Sequence, residues 1–111
     1  MNLQLQDSIV SGWQVIRVEG SVDSKTVGEL RDFLDAKVTG LAPVALDLAE
    51  VSFLSSAGLR TLLTLHRQTQ QPAVSLILVG MKTEIIDIMT VTGFYQYFKV
   101  LNLLSELPSV P

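Results

Sequence analysis

Cysteine is absent from the 111 residues, so neither a disulfide framework nor a thiolate metal site is available. Charge is scarce: 17% of residues are charged and the net charge is −3, with an isoelectric point near 4.9. The eight Lys and Arg residues are scattered, without a basic run or aromatic interleaving. A nucleic-acid groove needs a positive stripe to neutralise phosphates, so that class is excluded. No apolar run approaches the roughly 20 residues of a membrane span. The opening Met1-Asn2-Leu3-Gln4-Leu5-Gln6-Asp7 has neither the basic start nor the long apolar stretch of a signal peptide. The expectation is a cytoplasmic protein without membrane insertion. Glycines do not cluster: Gly58 and Gly80 stand alone, so there is no P-loop. There is no G-x-S-x-G elbow, and acidic residues are too dispersed to form a metal site. Neither a cofactor nor catalysis is expected.

What the chain has is apolar content, 48% hydrophobic residues with a mean hydropathy of +0.40. This length suits one domain, which should bury roughly two thirds of its unfolded surface. With so few charges to cover it, some apolar surface should remain for a partner, and a weak homodimer is expected. Leu3 and Leu5 alternate with Gln4 and Gln6 as in a half-exposed strand, and Ser11-Gly12 marks a turn. Trp13 to Glu19 alternates again, Val15 sharing a face with Arg17 and Ile16 with Val18, and Gly20 should end that strand. Val27, Leu30, Phe33, Leu34 and Val38 recur at helical spacing, capped by Asp23 or Ser24 or by a Thr26–Glu29 box, with Gly40 just beyond. Val44–Leu48 reads as a buried strand, and Ala57 to about Gln70 as a second helix stopped by Pro72. Val74–Val79, closed by Gly80, is the next strand. Thr83 should cap a third helix through Ile85, Ile86, Ile88 and Met89, with Gly93 as its left-handed stop. Tyr97–Val100 suits a last strand, and Asn102–Leu107 a final helical turn. Trp13 is expected to pack at the hairpin and residues 108–111 to fray. The order β-β-α-β-α-β-α-β-α makes the chain α/β, with late strands paired in parallel. The apolar Val74–Val79 run calls for helices on both sheet faces, or for one helical face and a second occluded side.

The densest signal is the segment Asp47 to Leu59, D-L-A-E-V-S-F-L-S-S-A-G-L. A strand runs into a short loop ending in Ser55 and Ser56, and a leucine-rich helix begins at once. A hydroxyl there lies at a helix N-terminus, where free N–H groups and the helix dipole welcome a phosphate. The bland alternative is that both serines merely cap the helix. Asp23 reads as a cap and Asp47 as a structural hydrogen-bonding residue. His66 reads as a boundary residue of the Leu59, Leu62, Leu63 face. A serine hydrolase would need a base beside its serine. His66 lies about 15 Å further along the helix axis, too far to serve.

Gly20-Ser21-Val22-Asp23, then Val44–Leu48 with Val51, Phe53 and Leu54, then Ser55-Ser56-Ala57-Gly58-Leu59, the Val74–Gly80 strand and Gly93-Phe94 form one series. On these residues nearly the whole chain resembles the STAS domain, most closely the bacterial anti-sigma factor antagonists. The resemblance implies a domain over residues 1–107, with a mixed four- to five-stranded sheet and about four helices. The family's phosphoacceptor is the serine two residues before the motif glycine, here Ser56. An Asp commonly precedes that serine and a Ser or Thr follows it. Here Ser55 and Ala57 stand there, which leaves Ser55 as the alternative acceptor. Asp23, Leu54, Ser55, Ser56, Ala57 and Gly58 would form the partner surface. The implied partners are an anti-sigma factor, typically a serine kinase of the histidine-kinase-like ATPase fold, and a PP2C-type phosphatase. Other readings are a STAS module that binds without phosphorylation, as in a lipid-transport ATPase or a signalling scaffold, and a nucleotide held by the loop's N–H groups.

Overall fold

The computed structural model describes residues 3–40, 42–70 and 75–108. Its sheet has five strands in sequential order: β1 (Gln4–Val10), β2 (Trp13–Val22), β3 (Val44–Leu54), β4 (Leu76–Val79) and β5 (Lys99–Leu101). β1 and β2 are antiparallel, joined through Ser11 and Gly12, and the Val10–Trp13 pair closes the hairpin. Both linking residues have positive φ (52° and 86°), the backbone that matches the twist of a two-residue hairpin. The other neighbours are parallel, as expected. Helices α1 (Val27–Lys37), α2 (Ser56–Gln70) and α3 (Thr83–Val91) make the crossovers.

All three helices cover one sheet face. Val27, Leu30 and Leu34 of α1, Leu59, Leu62 and Leu65 of α2, and Ile85 and Met89 of α3 pack on Ile16, Val18, Leu46 and Leu78. Leu65, not Leu63, completes the buried stripe of α2, because Leu63 is only half-buried. The other face holds a smaller cluster of Trp13, Val15, Ala45, Ile77 and Val79, covered by Leu107 with Leu101 and Leu104. The expectation of one helical face and one occluded side is therefore met, and the cover is the C-terminal segment. Trp13 is buried there, and its Nε1 donates to the Pro108 carbonyl at 2.6 Å. Pro108 is thus held rather than frayed, while 109–111 lie outside the described residues.

Several boundaries differ from those read in the sequence. β2 does not end at Gly20. That residue takes φ 120° and the strand continues to Val22 across a register shift between Gly20 and Ser21. β3 likewise runs past Leu48 to Leu54, so the supposed loop before the serines is strand. The bulged pairing with β2 breaks the period-two pattern: Val51 and Leu54 are buried, with exposed Ser52 and Phe53 between them. Along β3, only Val44–Asp47 pairs with β4, so Glu50–Leu54 has β2 alone as its strand neighbour. α1 begins at Val27, one turn later than an Asp23 cap would place it. α3 is capped at Lys82, with Thr83 its first residue, and Gly93 (φ 80°) stops it as expected. The final helical turn is a 3-10 turn, Leu104–Glu106, and another, Tyr95–Tyr97, precedes β5. The expected contributions of Pro72 and Val74 fall outside the described residues.

Candidate functional site: the head of the second helix

β2 and β3 end side by side, with Val22 paired to Leu54. The Ser55 N–H donates to the Val22 carbonyl at 2.8 Å, tying the entry of α2 to the exit of β2. Ser55 is the only residue between β3 and α2. Its carbonyl accepts the first helical bond, from Leu59 N at 2.9 Å. Its Oγ accepts from the Gly58 N–H at 3.2 Å. That is the geometry of an N-cap residue satisfying one of the orphan donors of the first turn.

Ser56 is therefore the first residue inside the helix. It is exposed, and its hydroxyl has no hydrogen-bond partner among the described residues. The bland and the sharp readings of the serine pair thus divide between two neighbours: Ser55 caps, and Ser56 presents a free hydroxyl. The N–H groups of Ser56 and Ala57 have no intrahelical acceptor by construction, so the environment of that hydroxyl favours negative charge.

Asp23 is placed beside this pair by the Ser55–Val22 bond, but its carboxylate is engaged in its own turn. Oδ1 accepts from the N–H groups of Lys25 (2.9 Å) and Thr26 (3.1 Å), while Ser21 Oγ donates to Oδ2 at 3.4 Å. The Asp23 N–H donates to Thr26 Oγ1, which itself donates to the Ser21 carbonyl. The Lys25 N–H, the largest influence, outweighs the opposing desolvation that comes next, and with the Thr26 and Ser21 donors it holds the Asp23 carboxyl below its ordinary value. Asp23 thus caps a turn before α1 instead of the helix itself.

Two of the residues read as partner contacts do not face outward. Leu54 is 3% exposed, and Gly58 is buried beneath it. A Cβ at Gly58 would lie 2.6 Å from Leu54 Cδ1 and 2.9 Å from Val22 Cγ1. The missing side chain lets α2 approach the ends of β2 and β3, and the close approach is internal. The outward surface consists instead of half-buried Asp23, Ser55 and Ala57, exposed Ser56, and Phe53, which is 47% exposed. Phe53 escaped the sequence reading as a surface residue, because alternation fails in the bulged part of β3.

The remaining candidates sit elsewhere. Asp47 is buried in β3, its Oδ1 accepting from the Ala49 N–H at 3.1 Å, a structural role. His66 is half-buried, with its ring centroid 5.4 Å from that of Phe98 and its Nε2 3.0 Å from Gln70 Nε2. It is the boundary residue expected. Among the described residues no group of three or more His, Asp or Glu side chains could hold a metal ion. No helix there is long and apolar enough to cross a membrane.

α2 thus opens on Ser56 behind the Ser55 cap, at the ends of two parallel strands of the five-stranded α/β sheet. The chain belongs to the STAS domain family, whose model matches residues 1–107. It is 32% identical over 94 residues to BtrV of Bordetella bronchiseptica, described as a candidate anti-sigma factor antagonist, covering 84% of this chain and 81% of that one. The fold superposes on an anti-sigma factor antagonist from Mycobacterium paratuberculosis with a TM-score of 0.85, at 23% identity over 94% of this chain and 89% of the other. It also matches the Bacillus cell fate determinant SpoIIAA in its phosphorylated form, with a TM-score of 0.68 at 20% identity over 94% of each chain.

Proposed function

We propose that this chain is an anti-sigma factor antagonist whose hold on its partner is switched by phosphorylation of Ser56. The observation that carries the choice of residue is the division of labour at the head of α2. Ser55 uses its hydroxyl on the Gly58 N–H, whereas Ser56 is exposed and its hydroxyl has no partner among the described residues. The partner is an anti-sigma factor, a serine kinase of the histidine-kinase-like ATPase fold, and a PP2C-type phosphatase reverses the modification. Kinship with a relative described as a candidate antagonist supports the partner class, and a fold neighbour solved in its phosphorylated form supports the chemistry.

Phosphorylation adds roughly 1.5 to 2 negative charges and three acceptor oxygens. At this helix end the dipole and free N–H groups accept that charge without unfolding the domain. The change falls on the surface, where a small neutral patch around Ser56, Ala57 and Phe53 becomes bulky and strongly hydrated. A partner packed there meets a clash and a desolvation penalty, and about 3 kcal/mol lowers affinity a hundredfold.

Incubation with the cognate kinase, followed by intact-mass analysis and fragmentation, tests the assignment. Wild type gains one phosphate on Ser56, and Ser56→Ala gains none while keeping its fold and its anti-sigma factor binding. Ser55→Ala is still labelled but loses about 1 kcal/mol of stability in urea titration, the typical worth of an N-cap. Stoichiometric labelling of Ser56→Ala refutes the assignment.

A further inference from the structure

α1 and α2 leave a groove of about 290 Å³ between them that starts at Ala57, beside Ser56, and runs along the two helices. Its walls carry two guanidinium groups, Arg31 from α1 and Arg60 from α2, against one carboxylate, Asp35. Both arginines are exposed. The only ion pair among the described residues is Arg17–Glu19, on the sheet, so neither groove arginine is neutralised by a salt bridge. The first turn of α2 contains no acidic residue. In an overall acidic protein, the walls of this groove therefore carry one more positive than negative charge.

Arg60 follows Ser56 by four residues, one helical turn, which sets their Cβ atoms about 5–6 Å apart on the same face. Side chains on a helix lean toward its N-terminus, so a long residue at this position covers the turn in front of it, where Ser56 lies. A guanidinium there can offer two parallel N–H donors to a phosphate.

Resting on the reading of Ser56 as the modified residue, we propose that Arg60 is the receptor in cis for the Ser56 phosphate, with Arg31 adding charge from the facing wall of the groove. The phosphate then folds down onto α2 instead of standing out into solvent. Modification offsets the positive charge of the groove walls as well as altering the head of α2, so a partner loses both at once. The charged groups that face the phosphate are Arg60 on α2, Arg31 and Asp35 on α1, and Asp23 in the turn before α1. The two carboxylates oppose the arginines, and the Asp23 carboxylate is turned onto its own backbone donors.

Phosphoserine installed at Ser56 by genetic encoding tests the receptor without relying on kinase recognition. A phosphorus NMR titration then compares wild type with Arg60→Gln and Arg60→Lys. The second ionisation of the wild-type phosphate is expected about half to one pH unit below the ordinary value near 6. Arg60→Gln should return it most of the way, and Arg60→Lys should restore part of the shift. The unphosphorylated proteins should melt together, because Arg60 is exposed. Identical titrations in wild type and Arg60→Gln overturn the receptor while leaving Ser56 as the acceptor. Kinase labelling that maps elsewhere removes the acceptor reading while leaving the geometry of the installed phosphate to be judged on its own titration.

Discussion

Two glycines in helices make opposite demands at the residue scale. Gly58 is enclosed, and an added methyl group would collide with Leu54 and Val22, both of which are buried. Gly28, in the first turn of α1, has nothing within 4 Å of where a Cβ would stand. Alanine favours a helix over glycine by up to about 1 kcal/mol, while overpacking a tight core costs about 1–3 kcal/mol. Gly28→Ala should therefore raise the thermal midpoint slightly. Gly58→Ala should lower stability by roughly 1–2 kcal/mol in urea unfolding, because the clash exceeds the helical gain. A Gly58→Ala variant as stable as wild type would show that α2 slides freely over the strand ends.

The C-terminal segment is the telling case at the scale of elements. β5 and the 3-10 turn after it carry Leu101, Leu104 and Leu107 onto the sheet face that the helices leave bare. Leu107 is 8% exposed there, although it comes after the last strand. Leu107→Ala should cost about 2 kcal/mol, the low end for a buried leucine. The chain has one tryptophan, Trp13, in the same cluster, so its fluorescence reports the loss directly. Unchanged stability and emission would mean that the segment only rests on the sheet. Apolar periodicity revealed the helical cores, the hairpin turn and the parallel strands, because each is a local pattern. It did not reveal that β2 and β3 extend to Val22 and Leu54. Their far ends are bulged, and a bulge erases the alternation that marks a strand. The serine pair was legible as a helix head. The split of duties between Ser55 and Ser56 was not, since one residue of difference in the helix start decides which hydroxyl caps. The strands' extension also explains why Leu54 looked like surface in the sequence and is core in the structure.

For the molecule as a whole, stability in acid depends in part on the turn beside Ser55 and Ser56. The Asp23 carboxyl is held below its ordinary value near 3.8 by the Lys25, Thr26 and Ser21 donors. A group with a lowered folded-state value stabilises the native protein fully above its unfolded value. That contribution is lost as pH falls through the folded value. Asp23→Asn should therefore melt below wild type at neutral pH, with the gap closing only below about pH 4. A gap that is constant down to pH 2 would show that the hydrogen bonds, and not the charge, make the difference.

The projecting ends of β2 and β3 have a further consequence. Beyond Asp47 the serine pair and Phe53 sit on a two-stranded extension of β2 and β3, whose Val22, Val51 and Leu54 still pack into the main core. Phe53 and Ser56 face outward from this extension, whereas Ser55 also caps α2. Substitution of Phe53 or Ser56 can therefore alter that surface without repacking the core beneath it.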